Sequence, residues 1–131
     1  MPTTTADDHA IRRLLATYET SLNTSDADLA ASCYTADGVF MPTTLPTATG
    51  TEALKASYAA IFSNIQLNVK FSIDELVLTS DTTAHALTQS KGHVTIKATG
   101  DTPEEANREI FIFQKVDKDW EIARYMFNKS S

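Results

Sequence analysis

Two hydrophobic periods divide the chain, and their order is its most informative feature. Ile11, Leu14, Leu15, Tyr18 and Leu22 recur at helical spacing and predict an amphipathic helix. Thr5, with Asp8 three positions later, reads as a capping box in front of it. Asn23-Thr24-Ser25-Asp26 interrupts the pattern and caps a second, short helix through Leu29, Cys33 and Tyr34. Asp37-Gly38 then turns the chain into a brief strand, Val39-Phe40-Met41. Pro42 and Pro46 bracket a Thr-rich loop that Gly50 closes. A third helix starts at Thr51 and presents Leu54, Tyr58, Ile61, Phe62 and Ile65.

After Asn64 the period shortens to two. Leu67, Val69, Phe71 and Ile73 alternate with polar residues, as in a half-buried strand. Near Asp74-Glu75 the apolar parity slips to Leu76 and Leu78, which predicts a bulge and a bent sheet. Ser80-Asp81 marks a turn, and a second long strand runs to about Lys97. After the turn at residues 99–103, Arg108 to Val116 and Trp120 to Asn128 form two more strands around Asp117-Lys118-Asp119. Helices first and long strands afterwards predict an α+β fold, with three N-terminal helices packed on one face of an antiparallel sheet. A nucleotide-binding α/β fold alternates strand and helix and opens on a glycine-rich phosphate loop, and neither is present.

Composition narrows the partners. The 131 residues amount to one domain, residues 1–131, and 42% are apolar, enough for a single core. The net charge of −6 repels phosphate backbones and anionic lipid, so no nucleic acid and no membrane is expected as partner. The lone Cys33 makes no intramolecular disulfide. The opening MPTTTADDHAIRR has no apolar stretch of a secretory signal, which points to a cytoplasmic protein. His85 and His93, with no acidic or cysteine cluster beside them, lack metal-ligand spacing. No metal and no organic cofactor is therefore expected.

At this level the chain resembles a known family. Residues 18–26, Tyr-Glu-Thr-Ser-Leu-Asn-Thr-Ser-Asp, followed by residues 34–42, Tyr-Thr-Ala-Asp-Gly-Val-Phe-Met-Pro, are similar to the opening of nuclear transport factor 2-like proteins. The SnoaL-like and ketosteroid isomerase-like group is the nearest part of that superfamily. Gly50-Thr51-Glu52-Ala53-Leu54 matches the start of its third helix, and Asp119-Trp120-Glu121-Ile122-Ala123 its last hairpin; the likeness spans about residues 8 to 128. It implies a cone-shaped fold, a curved antiparallel sheet enclosing a pocket against the helices, and commonly a dimer. It implies no single reaction, because isomerases, cyclases, dehydratases, hydrolases and proteins without known activity share the fold.

The resemblance also assigns candidate roles. Tyr18 falls where the steroid isomerases place a tyrosine that donates to the substrate oxyanion. Their general-base aspartate corresponds to Met41 or Pro42, neither of which accepts a proton, so their enolisation mechanism is not expected here. Their second acid, held protonated, corresponds to Glu109; that enzyme is a standard example of a neutral carboxylic acid in an apolar site. Glu109 shares its parity with Phe111 and Phe113, and desolvation beside aromatic rings favours the neutral form. For the second long strand two readings stand. Pattern alone turns Ala84, Ala86, Thr88 and Ser90 inward, whereas the resemblance turns His85, Leu87 and Gln89 inward.

The combined reading is a pocket for a hydrophobic small molecule, with Tyr18 and Glu109 as hydrogen-bond donors and Met41, Tyr58, Phe62, Gln89, Phe111 and Tyr125 in the wall. One alternative is a general acid–base lyase or isomerase using Tyr18 and Glu109. Another is a non-catalytic dimerisation module. The last strands are apolar on both parities, Ile110 and Ile112 on one and Phe111 and Phe113 on the other. Helices cover only one face, so the other is expected to pair in a homodimer.

Overall fold

The structure, a computed structural model, describes residues 2–130. Helices α1 (Pro2–Asn23), α2 (Ala27–Ser32) and α3 (Thr51–Asn64) pack on one face of a sheet of six strands. The strands are β1 (Tyr34–Met41), β2 (Ala48–Thr49), β3 (Ile65–Leu78), β4 (Thr83–Ile96), β5 (Glu104–Val116) and β6 (Asp119–Lys129). Asp26 caps α2 by accepting from the Leu29 backbone N–H at 3.0 Å. Gly50 precedes α3 with φ 89°, a left-handed conformation that favours glycine. Helix α1 already includes Thr5, whose side chain lies outside the described residues. Asp8 therefore sits within the helix, and it pairs with Arg12 one turn later at 2.6 Å.

The spatial order is β2-β1-β6-β5-β4-β3. Strands β3 to β6 form the antiparallel meander that their period predicts, but β1 runs parallel to β6. The sheet is thus mixed rather than wholly antiparallel. Between β1 and β6 the chain makes β2, α3 and three strands, the long connection that a parallel pair requires. The parity slip at Asp74 is a bulge, since the β3–β4 register shifts between Ile73 and Glu75.

Register builds two rows across the sheet. On the helix-covered face Phe40, Tyr125, Phe111 and Ala86 are successive cross-strand neighbours, and all are buried. Phe40 stacks on Tyr125 with centroids 5.6 Å apart, and Tyr125 on Phe111 at 4.1 Å. One residue along, Met41, Met126, Ile110 and Leu87 form the matching row on the other face. Period two sends every second residue to the opposite side.

Helix α1 closes the free edge of β3. Asn23 accepts from the Val69 N–H at 2.9 Å and donates to its carbonyl at 2.8 Å, while Glu19 accepts from the Phe71 N–H at 2.7 Å. These side chains substitute for a neighbouring strand, which leaves less of the edge for aggregation. At Gly92 β4 comes so close to β3 that an added Cβ would lie 2.0 Å from the Asn68 carbonyl oxygen. Gly92→Ala is expected to lower stability by about 1–3 kcal/mol or more, because the obstacle is backbone and must move. Urea unfolding checks this: the midpoint falls, and an unchanged midpoint would show that the sheet yields freely.

Candidate functional site

The site is built around Tyr18 on α1. Its ring edges meet Tyr34, Tyr58, Phe71, Phe111 and Tyr125, with centroid separations from 5.6 to 6.4 Å. Its hydroxyl lies 2.5 Å from that of Tyr58 on α3, which lies 2.7 Å from that of Tyr34 on β1. Tyr34 reaches this point because β1 bulges. Tyr34 pairs with Ile122 and Val39 with Arg124, so three residues of β1 have no counterpart on β6. Gly38 lies in that bulge, where a Cβ would come within 2.8 Å of the Tyr34 side chain.

Three hydroxyls carry three protons, and two contacts between them commit two. One O–H is not committed by these two contacts. Burial raises the Tyr18, Tyr34, Tyr58 and Tyr125 hydroxyls above the ordinary phenol range, so they stay neutral donors at physiological pH. Tyr18, Tyr58 and Tyr125, with Phe40, line a cavity of about 80 Å³. Its remaining wall is mostly aliphatic, and Ile61, Ile65 and Leu67, between α3 and β3, are only half-buried.

The opposite wall is polar. Along β5 the inward residues are Glu105, Asn107, Glu109, Phe111 and Phe113, all buried. Glu109 accepts from Thr88 and Ser90 of β4, both at 2.5 Å. None of the ion pairs among the described residues involves it. Burial raises its carboxyl above the ordinary glutamate range, although the Ser90 and Thr88 hydroxyls oppose the shift. Glu105 accepts from Lys129 Nζ at 2.6 Å and from Asn107 Nδ2 at 2.8 Å. Ser90, Glu105 and Asn107 line the cavity; Glu109 stands behind Ser90.

Several expected wall residues therefore lie elsewhere. Met41 occupies the outer groove with Ile110, Ile112 and Met126, because the inward place on β1 belongs to Phe40. Gln89 is exposed on the outer face, where it donates to Asp74 at 2.9 Å. The small-residue parity of β4 is the inward one: Ala84, Ala86, Thr88 and Ser90 are buried, and Leu87 is 41% exposed. Phe62 and Phe111 pack behind the cavity among the other rings without lining it. Tyr34, Ser90, Glu105 and Asn107 are site residues that sequence reasoning passed over. The alternation of Glu105 and Asn107 in phase with Phe111 was the available signal for two of them.

Phe40 and Pro42, both buried, occupy the inward places near the end of β1 where a base would be sought. Within the cavity wall the ionisable acceptor is Glu105. Among the described residues no three His, Cys, Asp or Glu side chains converge as a metal site would require. Among the described residues no helix is long and apolar enough to cross a membrane. The arrangement can hold a polar oxygen against neutral donors on one wall and offer acceptors on the other.

Comparison with known proteins agrees with this fold. A ketosteroid isomerase-like protein from Erwinia carotovora atroseptica SCRI1043 superposes with a TM-score of 0.90 and 31% identity, over 94% of this chain and 95% of that one. A proposed scytalone dehydratase from Novosphingobium aromaticivorans DSM 12444 gives 0.84 at 19% identity, over 99% and 88%. A domain of unknown function with a cystatin-like fold from Nostoc punctiforme PCC 73102 gives 0.80 at 16% identity, over 97% and 79%. At those lower identities the likeness is one of fold. No curated protein matches the chain. The SnoaL-like domain model matches residues 3–126, nearly the whole chain, and the protein belongs to that family, within the nuclear transport factor 2-like superfamily.

Proposed function

We propose that the protein holds a small, flat carbonyl compound in the cavity, its oxygen against the tyrosine hydroxyls, and acts on it by acid–base chemistry of the isomerase or lyase kind. The observation that carries this reading is the one uncommitted proton of the Tyr34–Tyr58–Tyr18 chain. A hydroxyl whose own oxygen already accepts a hydrogen bond is a stronger donor. In a dry site it stabilises charge developing on a carbonyl oxygen. Glu105, in the cavity wall, is the proton acceptor of this reading; Glu109, accepting from Ser90, holds that side chain in place.

A second reading, binding without turnover, rests on Glu105 itself. Both its oxygens already accept hydrogen bonds, from Asn107 and Lys129, so accepting a ligand proton means displacing one of them. Steroid substrates are disfavoured under either reading. The cavity of about 80 Å³ is smaller than the roughly 150 Å³ known to admit a single benzene ring. Even a one-ring ligand exceeds it and must part the half-buried Ile61 and Leu67 to enter, so larger ligands are disfavoured.

The face away from the helices supports pairing with a second copy of the chain. Ile110, Ile112, Leu87 and Met126 are all more than 40% exposed there. Arg108 and Arg124 flank this strip on β5 and β6, and Glu75 lies on the same face at β3. A two-fold stack that buries the strip can set the bases of one copy over the acid of the other.

Three outcomes follow. The protein should accelerate deuterium exchange at the carbon next to the carbonyl of 2-cyclohexenone in heavy water. Tyr18→Phe should reduce that acceleration about 10²-fold, as the loss of one oxyanion donor does. Proton NMR follows the exchange; absence of any acceleration by the unmodified protein would leave only the binding reading.

Glu109 binds its proton more tightly in the folded than in the unfolded chain, since its carboxyl is raised. The folded state is then favoured below the raised value and loses that advantage as pH rises through it. Between about pH 4.5 and 7 the unfolding free energy of the unmodified protein should fall relative to that of Glu109→Gln. Urea titrations at the two pH values test the sign, and parallel pH profiles would refute it.

Light scattering at micromolar concentration should return twice the chain mass of 14.3 kDa, and Ile110→Lys should return the single mass. A monomer in both would remove the proposed pairing.

A further inference from the structure

One polar atom of the cavity wall has no use within the protein. Asn107 is 7% exposed, and its Oδ1 is buried and accepts no hydrogen bond among the described residues. Nearly all buried polar atoms are paired, so an orphan in a cavity wall points to a ligand. The orientation of the amide is chemically determined. Asn107 Nδ2 donates to Glu105 Oε2 at 2.8 Å and to Ser90 Oγ at 3.3 Å, which commits both its protons. Reversing the amide would set Oδ1 against a carboxylate oxygen that has no proton to offer. The Ser90 hydroxyl cannot turn to Asn107 either, because it donates to Glu109 at 2.5 Å. Lys129 fixes the far oxygen of Glu105 at 2.6 Å, so the network is anchored at both ends.

Donation by Nδ2 to a carboxylate makes Oδ1 a better acceptor. Ser90, Glu105 and Asn107 share the cavity with Tyr18, Tyr58 and Tyr125. The same cavity wall therefore holds a tyrosine donor and an asparagine whose acceptor is unpaired and covered, so that a ligand reaches it by displacing the side chains over it.

We propose that Asn107 Oδ1 accepts a hydrogen bond from a hydroxyl or N–H group of the ligand, so that the ligand is a one-ring carbonyl compound bearing a second, donor substituent. This rests on the carbonyl reading above and adds the ligand's other polar end. A ligand lacking the donor would leave the acceptor buried and unpaired. A site built for a hydrogen bond rejects such an analogue far more strongly than one built for shape alone.

The test uses 3- and 4-hydroxybenzaldehyde beside 3- and 4-fluorobenzaldehyde, in which fluorine fills the place of the hydroxyl but donates nothing. Binding to the full chain is titrated by heteronuclear NMR. At least one hydroxybenzaldehyde should bind about tenfold or more tighter than its fluoro counterpart, the usual worth of satisfying a buried acceptor. Asn107→Leu should abolish that ratio, the hydroxy compound losing its advantage over the fluoro one whatever change the two affinities share. Tyr18→Phe should weaken all four aldehydes and preserve the ratio. Equal binding of hydroxy and fluoro pairs overturns the asparagine subsite and leaves the carbonyl reading standing. No binding of any aldehyde at millimolar concentration overturns both. Should the leucine variant fail to fold, the comparison on the unmodified protein still decides.

Discussion

Tyr18 is the contact on which helix, sheet and cavity all depend. Its ring is the knob that α1 presses into the stacked row of Phe40, Tyr125 and Phe111, and its hydroxyl is one end of the chain through Tyr58 to Tyr34. A phenol suits both tasks, because its body is apolar and its tip forms hydrogen bonds. Five elements contribute to this cluster: α1, α3, β1, β5 and β6. The donor geometry is consequently held by the core and not by a loop, and a site held by rigid elements is a precise one.

The sheet imposes the second constraint. Along β5 a single face carries Glu105, Asn107, Glu109, Phe111 and Phe113, so polarity changes to aromaticity within one strand. The aromatic end packs under α1. The polar end would be costly to bury were it not a closed network: Lys129, Glu105, Asn107, Ser90, Glu109 and Thr88 are joined in sequence by hydrogen bonds. A satisfied network of this kind rigidifies a core, and its one open acceptor stands out for that reason.

The relation to the steroid isomerases is closest in the scaffold and loosest in the chemistry. The fold superposes almost completely on an isomerase-like protein. Yet the inward places at the end of β1 hold Phe40 and Pro42, and the cavity is small. A shared scaffold does not fix the chemistry placed on it. Here the carboxylate in the wall comes from the start of β5 rather than from β1.

How much was legible in the chain depended on which physics was local. Helical spacing from Ile11 to Leu22, the cap at Asp26, the alternation after Asn64 and the slip at Asp74 are all short-range signals, and each marks a feature of the fold. The start of β5 was only faintly legible: Glu105 and Asn107 alternate in phase with Phe111, but as polar residues in inward positions they show no apolar alternation. For β4, two faces competed, and the small residues went inward because Ala86 leaves room for the ring of Phe111 beside it. Only the assembled sheet sent Met41 and Gln89 outward and brought Tyr34 to Tyr58, through a bulge whose consequence depends on the register with β6. The sequence by itself determined the order of elements, the period of each and the presence of Tyr18 on a buried stripe. The tertiary structure alone decided which parity of each strand faces the cavity, because that choice is made by cross-strand register, a relation between residues far apart in the chain.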